Sequence, residues 1–275
     1  MPFETSTIER PAGYISDLSR YELPPTVWTV SNNVSNKHGR SNRSTGATPS
    51  YGALGIQPLF HMQWEATNNA NVWLYADTTS IYKIGSTEVP APMRTGLTAA
   101  VPTGWTGCIL NGIAILNNGV NPPQATADAS GVYDDTAMID LPFWPANYTC
   151  AVMRPYKNYL IALDVTNNGD RFNRMVKWSN PTEAGTVPLE WTIAAGNGAG
   201  EFNLSDTLGA CIDGKALGDS FIVYKEDAVW AMDFIGGSFT FQFRKLFEDD
   251  NGILARDCVA EFEGKHFVLT RGDAY

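Results

Sequence analysis

The sequence predicts an all-β protein, a β-propeller-like array of small antiparallel sheets with an extended N-terminal arm. Short β-rich runs broken by Gly, Asn and Asp recur along the chain, whereas helical periodicity is weak. The 25 glycines and 16 prolines are expected for a protein rich in turns. Predicted hairpins have second strands centred near residues 74, 114, 161, 222 and 267, at spacings of roughly 40 to 61 residues, near the period of propeller blades. Because the spacings are irregular, a β-sandwich or a chain of unrelated hairpins is an alternative.

The first fifty residues differ from the rest because they show no regular hydrophobic period. The Pro24-Pro25 pair fixes an extended path, since proline restricts its own φ and that of the residue before it. We therefore expect residues 1–50 to form an extended arm that docks on another surface, and residues 51–275 to form the propeller-like domain, with its last blade incomplete. The candidate assembly contacts of the arm are Tyr14, Leu18, Tyr21, Leu23, Pro24, Pro25, Trp28, Lys37, Arg40 and Arg43.

Five hairpins are predicted within the domain. Asn111-Gly112 is the dipeptide best suited to a two-residue type I′ turn, because both positions need a positive φ. In "SFTFQFR" (238–244), three phenylalanines alternate with polar residues, which predicts a strand with one apolar face. The predicted hairpins are 71–85 around Asp77–Ser80, 107–119 around Asn111-Gly112, 151–165 around Arg154–Asn158, 210–224 around Asp213-Gly214, and 258–270 around Glu263-Gly264.

The last two predicted blades differ in completeness. The fourth has runs near 219–224, 228–235 and 239–245 after the strand at Cys211, whereas the fifth has only two strands and an open edge. Open edges invite further pairing unless they are covered. Three explanations fit: the N-terminal region supplies a strand, the chain is a piece of a longer protein, or a partner chain covers the edge.

The charge is unevenly distributed along the chain. The net charge is −10; residues 1–50 carry +1, and residues 51–275 carry −11. An acidic body argues against wrapping DNA, because phosphate neutralisation dominates such binding. It is compatible with a surface past which DNA slides without sticking. Lys37, Arg40 and Arg43 fit a solvated turn or a contact with an acidic partner better than a nucleic-acid site, since no stacking aromatics accompany them.

The cysteines and the N-terminus indicate a protein made in a reducing cytoplasm. The four cysteines are far apart and lack metal-site spacing, so we expect free and mostly buried thiols. The first residues contain no apolar run of signal-peptide length, and no stretch reaches the 18 apolar residues of a membrane span.

The sequence gives little support for catalysis or metal binding. His38, His61 and His266 lack zinc-ligand spacing, and no nucleophile elbow or phosphate-binding loop occurs. The stretch "DVTNNGD" (164–170) departs from a calcium loop because Met175 stands where the closing glutamate belongs, so we interpret it as a turn between strands. We expect no cofactor, no metal and no catalytic residue.

Two alternatives are kept open. Carboxylates at Asp134-Asp135 and 248–250 allow a propeller glycosidase or depolymerase acting on cell-surface polysaccharide, which needs two carboxylates about 5–10 Å apart. A carbohydrate-binding propeller would instead use exposed Trp and Tyr. Both would act as single molecules with a cleft or an aromatic face.

Several segments, in order, resemble a family of tail hub, nozzle or stabilisation proteins from short-tailed bacteriophages (podoviruses). They are "YELPPTVW" (21–28), "LNG…NNGVNPPQ" (110–124), "VKWSNP" (176–181), "AGEFNLSDT" (199–207), "DSFIVYKEDAVWAMDFIGG" (219–237) and the stretch 241–275. The resemblance therefore covers essentially the whole chain. It departs at the C-terminus, because members of this family usually continue past the stretch similar to "GDAY" (272–275).

The resemblance implies structural work in a virion. It implies a propeller-like subunit of a homo-oligomeric ring, of six copies, below the portal and adaptor proteins. Tail fibre or spike proteins would be further partners, and phage DNA would pass without specific binding. It implies synthesis in the host cytoplasm and no active-site residues.

Overall fold

Every regular element among the described residues is a β-strand, which confirms the all-β prediction. The chain divides into two compact units, Met1–Gly52 and Ala53–Tyr275. The computed structural model describes residues 54–66, 70–85, 89–99, 104–237, 239–248 and 252–270, with short pieces of the first unit at 13–14, 22–23, 27–28, 34–37 and 40–43.

The described part of the first unit contains two pairs of short strands. β1 (Gly13–Tyr14) runs parallel to β2 (Val27–Trp28), and β3 (Val34–Lys37) pairs antiparallel with β4 (Arg40–Arg43). The sequence analysis missed the β3–β4 hairpin because its strands, VSNK and RSNR, hold no alternating apolar residues. The path of the rest of residues 1–50 lies outside the described residues.

The second unit is a series of antiparallel sheets, which we number I to V in chain order. Sheet I contains β5 (Phe60–Ala66), β6 (Ala70–Ala76), β7 (Ile81–Ile84) and β8 (Ala91–Arg94). Sheet II contains β9 (Thr106–Leu110), β10 (Ile113–Asn117), β11 (Gln124–Ala125) and β12 (Ile139–Asp140). In both sheets the strands lie side by side in chain order.

Sheets III and IV repeat this arrangement, and sheet V contains half of it. Sheet III contains β13 (Tyr148–Tyr156), β14 (Tyr159–Asn167), β15 (Asp170–Trp178) and β16 (Gly200–Asn203). Sheet IV contains β17 (Cys211–Leu217), β18 (Ser220–Lys225), β19 (Ala228–Phe234) and β20 (Phe241–Glu248). Sheet V has two strands in the described part of the chain, β21 (Val259–Phe262) and β22 (Lys265–Val268). The predicted array of small antiparallel sheets is thereby confirmed.

The predicted turns agree with the structure at three hairpins. Asn111 and Gly112 have φ values of 52° and 89°, and Glu263 and Gly264 have 50° and 71°, as two-residue type I′ turns require. The turn from Asp77 to Ser80 is closed by the Asp77 carboxylate, which accepts hydrogen bonds from the backbone N–H groups of Thr79 and Ser80.

Three other predictions need correction. The turn predicted at Asp213-Gly214 is instead at Gly218-Asp219, and Gly214 lies inside β17. The close approach of the Phe221 ring explains the glycine at this position, since a Cβ there would come within 2.5 Å of the ring. Phe239 does not belong to the predicted strand, since β20 begins at Phe241 and Phe239 is 75% exposed. The turn predicted over Arg154–Asn158 is confined to Lys157 and Asn158 in the structure.

The core consists of layers between consecutive sheets, so that a sheet buries one face against each neighbour. In β10, Ala114 packs toward sheet I while Ile115 packs toward sheet III. In β18, Ile222 packs toward sheet V while Val223 packs toward sheet III. Successive side chains of a strand point to opposite faces, so burial of both faces gives the continuous apolar runs IAIL and FIVY instead of alternation.

The first strand of each sheet lies toward a common axis. β5 contacts β9, β9 contacts β13, and β13 contacts β17. The fourth strands are therefore peripheral, as in the blades of a propeller. Near this axis, residues of sheets II, III, IV and V surround one cavity.

Replacing Gly214 with alanine should overpack the layer between sheets III and IV. The new methyl group would lie within 2.5 Å of Phe221, which is fully buried, so the ring must move. We expect Gly214→Ala to lower the free energy of unfolding by about 1–3 kcal/mol in urea denaturation.

A double-mutant cycle with Phe221→Leu provides the control. The smaller side chain vacates the space, so Gly214→Ala should cost less in the Phe221→Leu background than in the wild type. Equal costs in both backgrounds would contradict this packing explanation.

Candidate functional site

A cavity of about 410 Å³ lies at the axis, where the first strands converge. Its walls come from β9, β13, β17, β21 and the segment before β21. Charged side chains line it, among them Arg154, Lys215, Asp257 and Glu261. Residues of sheets II, III, IV and V line this axial cavity.

Arg154 connects the axial segments through one guanidinium group. Its Nε and Nη2 atoms donate to the two carboxylate oxygens of Asp213 at 2.9 and 3.0 Å. Nη2 also donates to Asp257 at 2.6 Å, and Nη1 donates to the carbonyl oxygen of Gly107 at 3.2 Å. A side chain of β13 thus joins β9, β17 and the segment that precedes β21.

Asp213 is fully buried, and its carboxylate is saturated with donors. Besides Arg154, it accepts hydrogen bonds from the backbone N–H groups of Gly214 and Asp257, both at 2.7 Å. Both oxygens are therefore occupied within the protein. This geometry suits a structural ion pair, whereas a glycosidase carboxylate has to be free to reach substrate.

The surroundings of Arg154 favour its charged form. Burial lowers the pKa of Arg154, but the hydrogen bonds and charges of Asp213 and Asp257 outweigh burial and raise that pKa above its ordinary value. A bidentate, hydrogen-bonded pair of this kind is geometrically specific, and the loss of one partner leaves the other charge buried.

A second polar cavity, of about 300 Å³, contains two more arginines. Arg171 donates from Nε and Nη2 to the buried carboxylate of Asp164, at 2.7 and 2.5 Å. Arg256, from the segment before β21, donates to the carbonyl oxygen of Gly104, just before β9. Sheet V is thereby tied to sheet II across 152 positions of sequence, which fits sheets arranged around an axis.

Lys225 is a buried cation with a structural role. Its side chain is fully buried, and Nζ donates to the carbonyl oxygens of Leu204 at 3.0 Å and Thr207 at 2.7 Å, and to the Thr207 hydroxyl. Burial lowers the pKa of Lys225. The lysine fastens the loop after β16 to sheet IV.

An apolar groove opens between sheets IV and V. It has a volume of about 540 Å³ and is lined mainly by Ile222, Tyr224, Val229, Leu246, Phe247 and Val268. Phe247 is 60% exposed at its outer side. We call this feature the acceptor groove, because the described residues of sheet V leave this part of sheet IV uncovered.

His266 lines the acceptor groove. Its Nε2 atom lies 2.9 Å from the Ala216 carbonyl oxygen, and its Nδ1 atom lies 2.7 Å from the Tyr224 hydroxyl. Because a carbonyl only accepts, Nε2 carries the proton of the neutral ring, and Nδ1 accepts from the tyrosine. Burial lowers the pKa of His266, while the Ala216 hydrogen bond and Glu261 oppose the shift.

The candidate contacts of the arm are only partly described. Tyr14 and Trp28 lie opposite each other in β1 and β2, and Lys37 lies opposite Arg40 in the β3–β4 hairpin. Arg43 pairs with Val34 in that hairpin, and Leu23 is half-buried. Leu18, Tyr21, Pro24 and Pro25 lie outside the described residues, so the predicted assembly role of these positions stays a prediction.

The carboxylates considered as catalytic candidates lie in different places. Asp134 caps a turn by accepting from Thr136, and Glu248 ends β20, while 249–250 lie outside the described residues. "DVTNNGD" forms the end of β14, the turn at Asn168-Gly169 and the start of β15, as interpreted from the sequence. Cys108, Cys150 and Cys211 are buried free thiols, and Cys258 is a partly buried one, as expected.

Sequence reasoning missed the axial ion pair. The sequence analysis predicts Arg154 and Asp213 to lie in turns between strands. The available signal was a single charge inside an otherwise apolar strand, in "AVMRPY" and in "ACIDG". A charged side chain is almost never buried without a partner. Each of these two residues therefore indicates a partner of opposite charge, but the sequence alone does not identify that partner.

Asp213→Asn should destabilise the protein far more than the same change at an exposed pair. It leaves the Arg154 charge without its main partner inside the protein, at an expected cost of about 3 kcal/mol in the free energy of unfolding. Asp219→Asn is the matched control, because Asp219 is fully exposed and lies 3.5 Å from Lys157. Chemical denaturation of both variants measures the difference, and equal losses would contradict a structural role for the pair.

Acidification should loosen the attachment of sheet V to sheet IV. The pKa of His266 in the folded protein is lower than its ordinary 6.5. Near and below pH 6.5, the unfolded chain therefore binds more protons at His266 than the folded protein does. The free energy of unfolding should therefore fall more between about pH 7.5 and about pH 5.5 in the wild type than in His266→Gln. Identical pH dependence of the two proteins in urea denaturation would rule out this role for His266.

Comparison with known proteins leaves the family unassigned. No protein-family model matches the chain, and no curated protein matches it. Among the described residues, no group of three or more His, Cys, Asp or Glu side chains is arranged to hold a metal ion. The same residues include no helix of the length and apolarity needed to cross a membrane.

Proposed function

We propose that this chain is a structural, non-catalytic subunit of the tail of a short-tailed bacteriophage. It forms a hub or nozzle ring of identical copies, six in number, below the portal and adaptor proteins, and it carries contacts for tail fibres or spikes. The ring is part of the conduit through which DNA leaves the virion. The observation that carries this proposal is the acceptor groove, an apolar surface on sheet IV that the described residues of sheet V leave uncovered.

Several segments that resemble the phage family contain residues that make contacts between sheets. Trp178 of "VKWSNP" packs edge-on against Phe241, with ring centroids 5.4 Å apart. Lys225 of "DSFIVYKED" binds the carbonyl oxygens of Leu204 and Thr207, which belong to "AGEFNLSDT". The resemblance therefore falls on residues that form the scaffold, which supports a structural role.

The charge of the body suits a wall past which DNA moves. Residues 51–275 carry −11, and hydrogen bonds lower the pKa of two exposed carboxylates, those of Asp128 and Asp134. The Ser130 hydroxyl has the largest effect on Asp128, and the Thr136 backbone N–H on Asp134. Such a surface repels phosphate, with a range of about 8–10 Å at physiological salt.

A closed ring needs two different complementary surfaces on each copy, because its interfaces are heterologous. The arm supplies candidate anchors in Tyr14, Tyr21 and Trp28, of the residue types that dominate protein interfaces. Stable rings of this kind bury on the order of 2,000 Å² at each interface.

Trp28→Ala should weaken assembly while each chain stays folded. Native mass measurement of the wild type should show a ring of copies, and negative-stain images should show a central hole. The variant should need a higher protein concentration to form the same ring, because a large aromatic contact is lost. A wild type that stays a single chain at all concentrations would contradict the proposal. A Trp28→Ala variant that assembles normally would contradict the role proposed for the arm.

A further inference from the structure

Arg256 is a half-buried cation that has no carboxylate partner in the described part of the chain. Its hydrogen bond to a described residue runs from Nη1 to the carbonyl oxygen of Gly104, at 3.0 Å. A guanidinium group carries more N–H donors than one carbonyl oxygen can accept, so most of the donors of Arg256 remain available. By contrast, four other arginines form ion pairs with carboxylates: Arg94, Arg154, Arg171 and Arg244.

The second polar cavity, of about 300 Å³, is lined by Arg256 and by two further donor groups. One is Arg171 of β15, whose Nε and Nη2 atoms donate to Asp164, while Nη1 makes no hydrogen bond to a described residue. The other is Thr166 of β14, whose hydroxyl group is likewise without a hydrogen bond to the described residues. Three separate elements thus supply donors to one small cavity.

An irregularity in β14 orients Arg171 at this cavity. The register of β14 with β15 shifts between Leu163 and Val165, and Asp164, between them, has a φ of 53°. Such a backbone conformation is unusual for a residue other than glycine and persists where other contacts compensate for it. Here the buried carboxylate of Asp164 receives two hydrogen bonds from Arg171. Strand irregularities of this kind are frequent beside binding sites, where they redirect a side chain.

We propose that the second polar cavity binds a small free phosphate-type oxyanion through Arg256, Arg171 and Thr166. The planar fork of a guanidinium group matches two oxygens of such an anion. Arg256 provides the net positive charge of the site, because Asp164 already balances the charge of Arg171. The Thr166 hydroxyl group donates a further hydrogen bond. This inference goes beyond the proposed function and does not depend on ring formation.

Two observations favour a small free anion over the backbone of a nucleic acid. The cavity is at the small end of the range for ligand sites, so it suits one compact group. Residues 51–275 carry −11, and a nucleic acid would bring many phosphates against this acidic surface. A single small anion that enters the cavity avoids most of that repulsion.

Calorimetric titration of the full-length protein with inorganic phosphate tests the site, with the ionic strength held constant by potassium chloride. Arg256→Gln should weaken phosphate binding by at least about 10-fold, because charge-assisted hydrogen bonds are lost. Arg244→Gln is the matched control. It also removes one positive charge, but from a partly exposed pair with Asp233 that does not line this cavity, so it should bind phosphate as the wild type does.

Thr166→Val provides a second variant that does not rely on Arg256. Arg256→Gln also breaks the contact with Gly104, whereas valine has the shape of threonine and suits a strand. The loss of the hydroxyl group should weaken phosphate binding by about 3-fold or more. Thr166→Val therefore decides the question even where Arg256→Gln fails to fold.

Each outcome either supports the site or removes it. Weaker binding by Arg256→Gln and Thr166→Val, with unchanged binding by Arg244→Gln, would support it. A wild type that gives no more heat with phosphate than with potassium chloride would overturn it, and so would equal weakening in both arginine variants.

A short single-stranded oligothymidylate, titrated in the same way, distinguishes the source of the phosphate. We expect it not to bind. Binding of the oligonucleotide that depends on Arg256, without binding of free phosphate, would overturn the assignment to a small anion. None of these results bears on whether identical copies assemble, so failure of this inference is separate from failure of the proposed function.

Discussion

A small sheet with apolar side chains on both faces cannot be stable by itself, and this constraint organises the whole domain. Leu160, Ile161 and Ala162 are consecutive and all buried, yet Ile161 belongs to the layer with sheet IV and its two neighbours to the layer with sheet II. Each sheet therefore needs a neighbour on both sides. The requirement is met for sheets II and III, and it is met only partly for sheet IV.

The axial ion pair fixes how the layers are oriented. Apolar packing is nondirectional, whereas the Arg154–Asp213 pair sets the distance and angle between β13 and β17. Asp257 and Arg256 extend the connection to sheet V and, through Gly104, to sheet II. These contacts join the first strands of sheets II, III and IV to the segment before β21.

The sequence predicts the β-rich array because turn chemistry is local. Asn111-Gly112 and Glu263-Gly264 need positive φ at both positions, and this can be read from two residues. Asp213-Gly214 has a similar composition but serves long-range contacts, with Arg154 and with the Phe221 ring, and this cannot be read locally. The β3–β4 hairpin was missed because its strands lack an apolar face, and the axial site was missed because its residues lie up to 103 positions apart.

The central claim of the proposed function is that identical copies of this chain form a ring around a conduit. Electron cryo-microscopy of the assembled wild-type protein tests the claim most directly. The account predicts a closed ring of identical copies around a central hole. Particles that remain single chains at every concentration, or an assembly without a central hole, would contradict it.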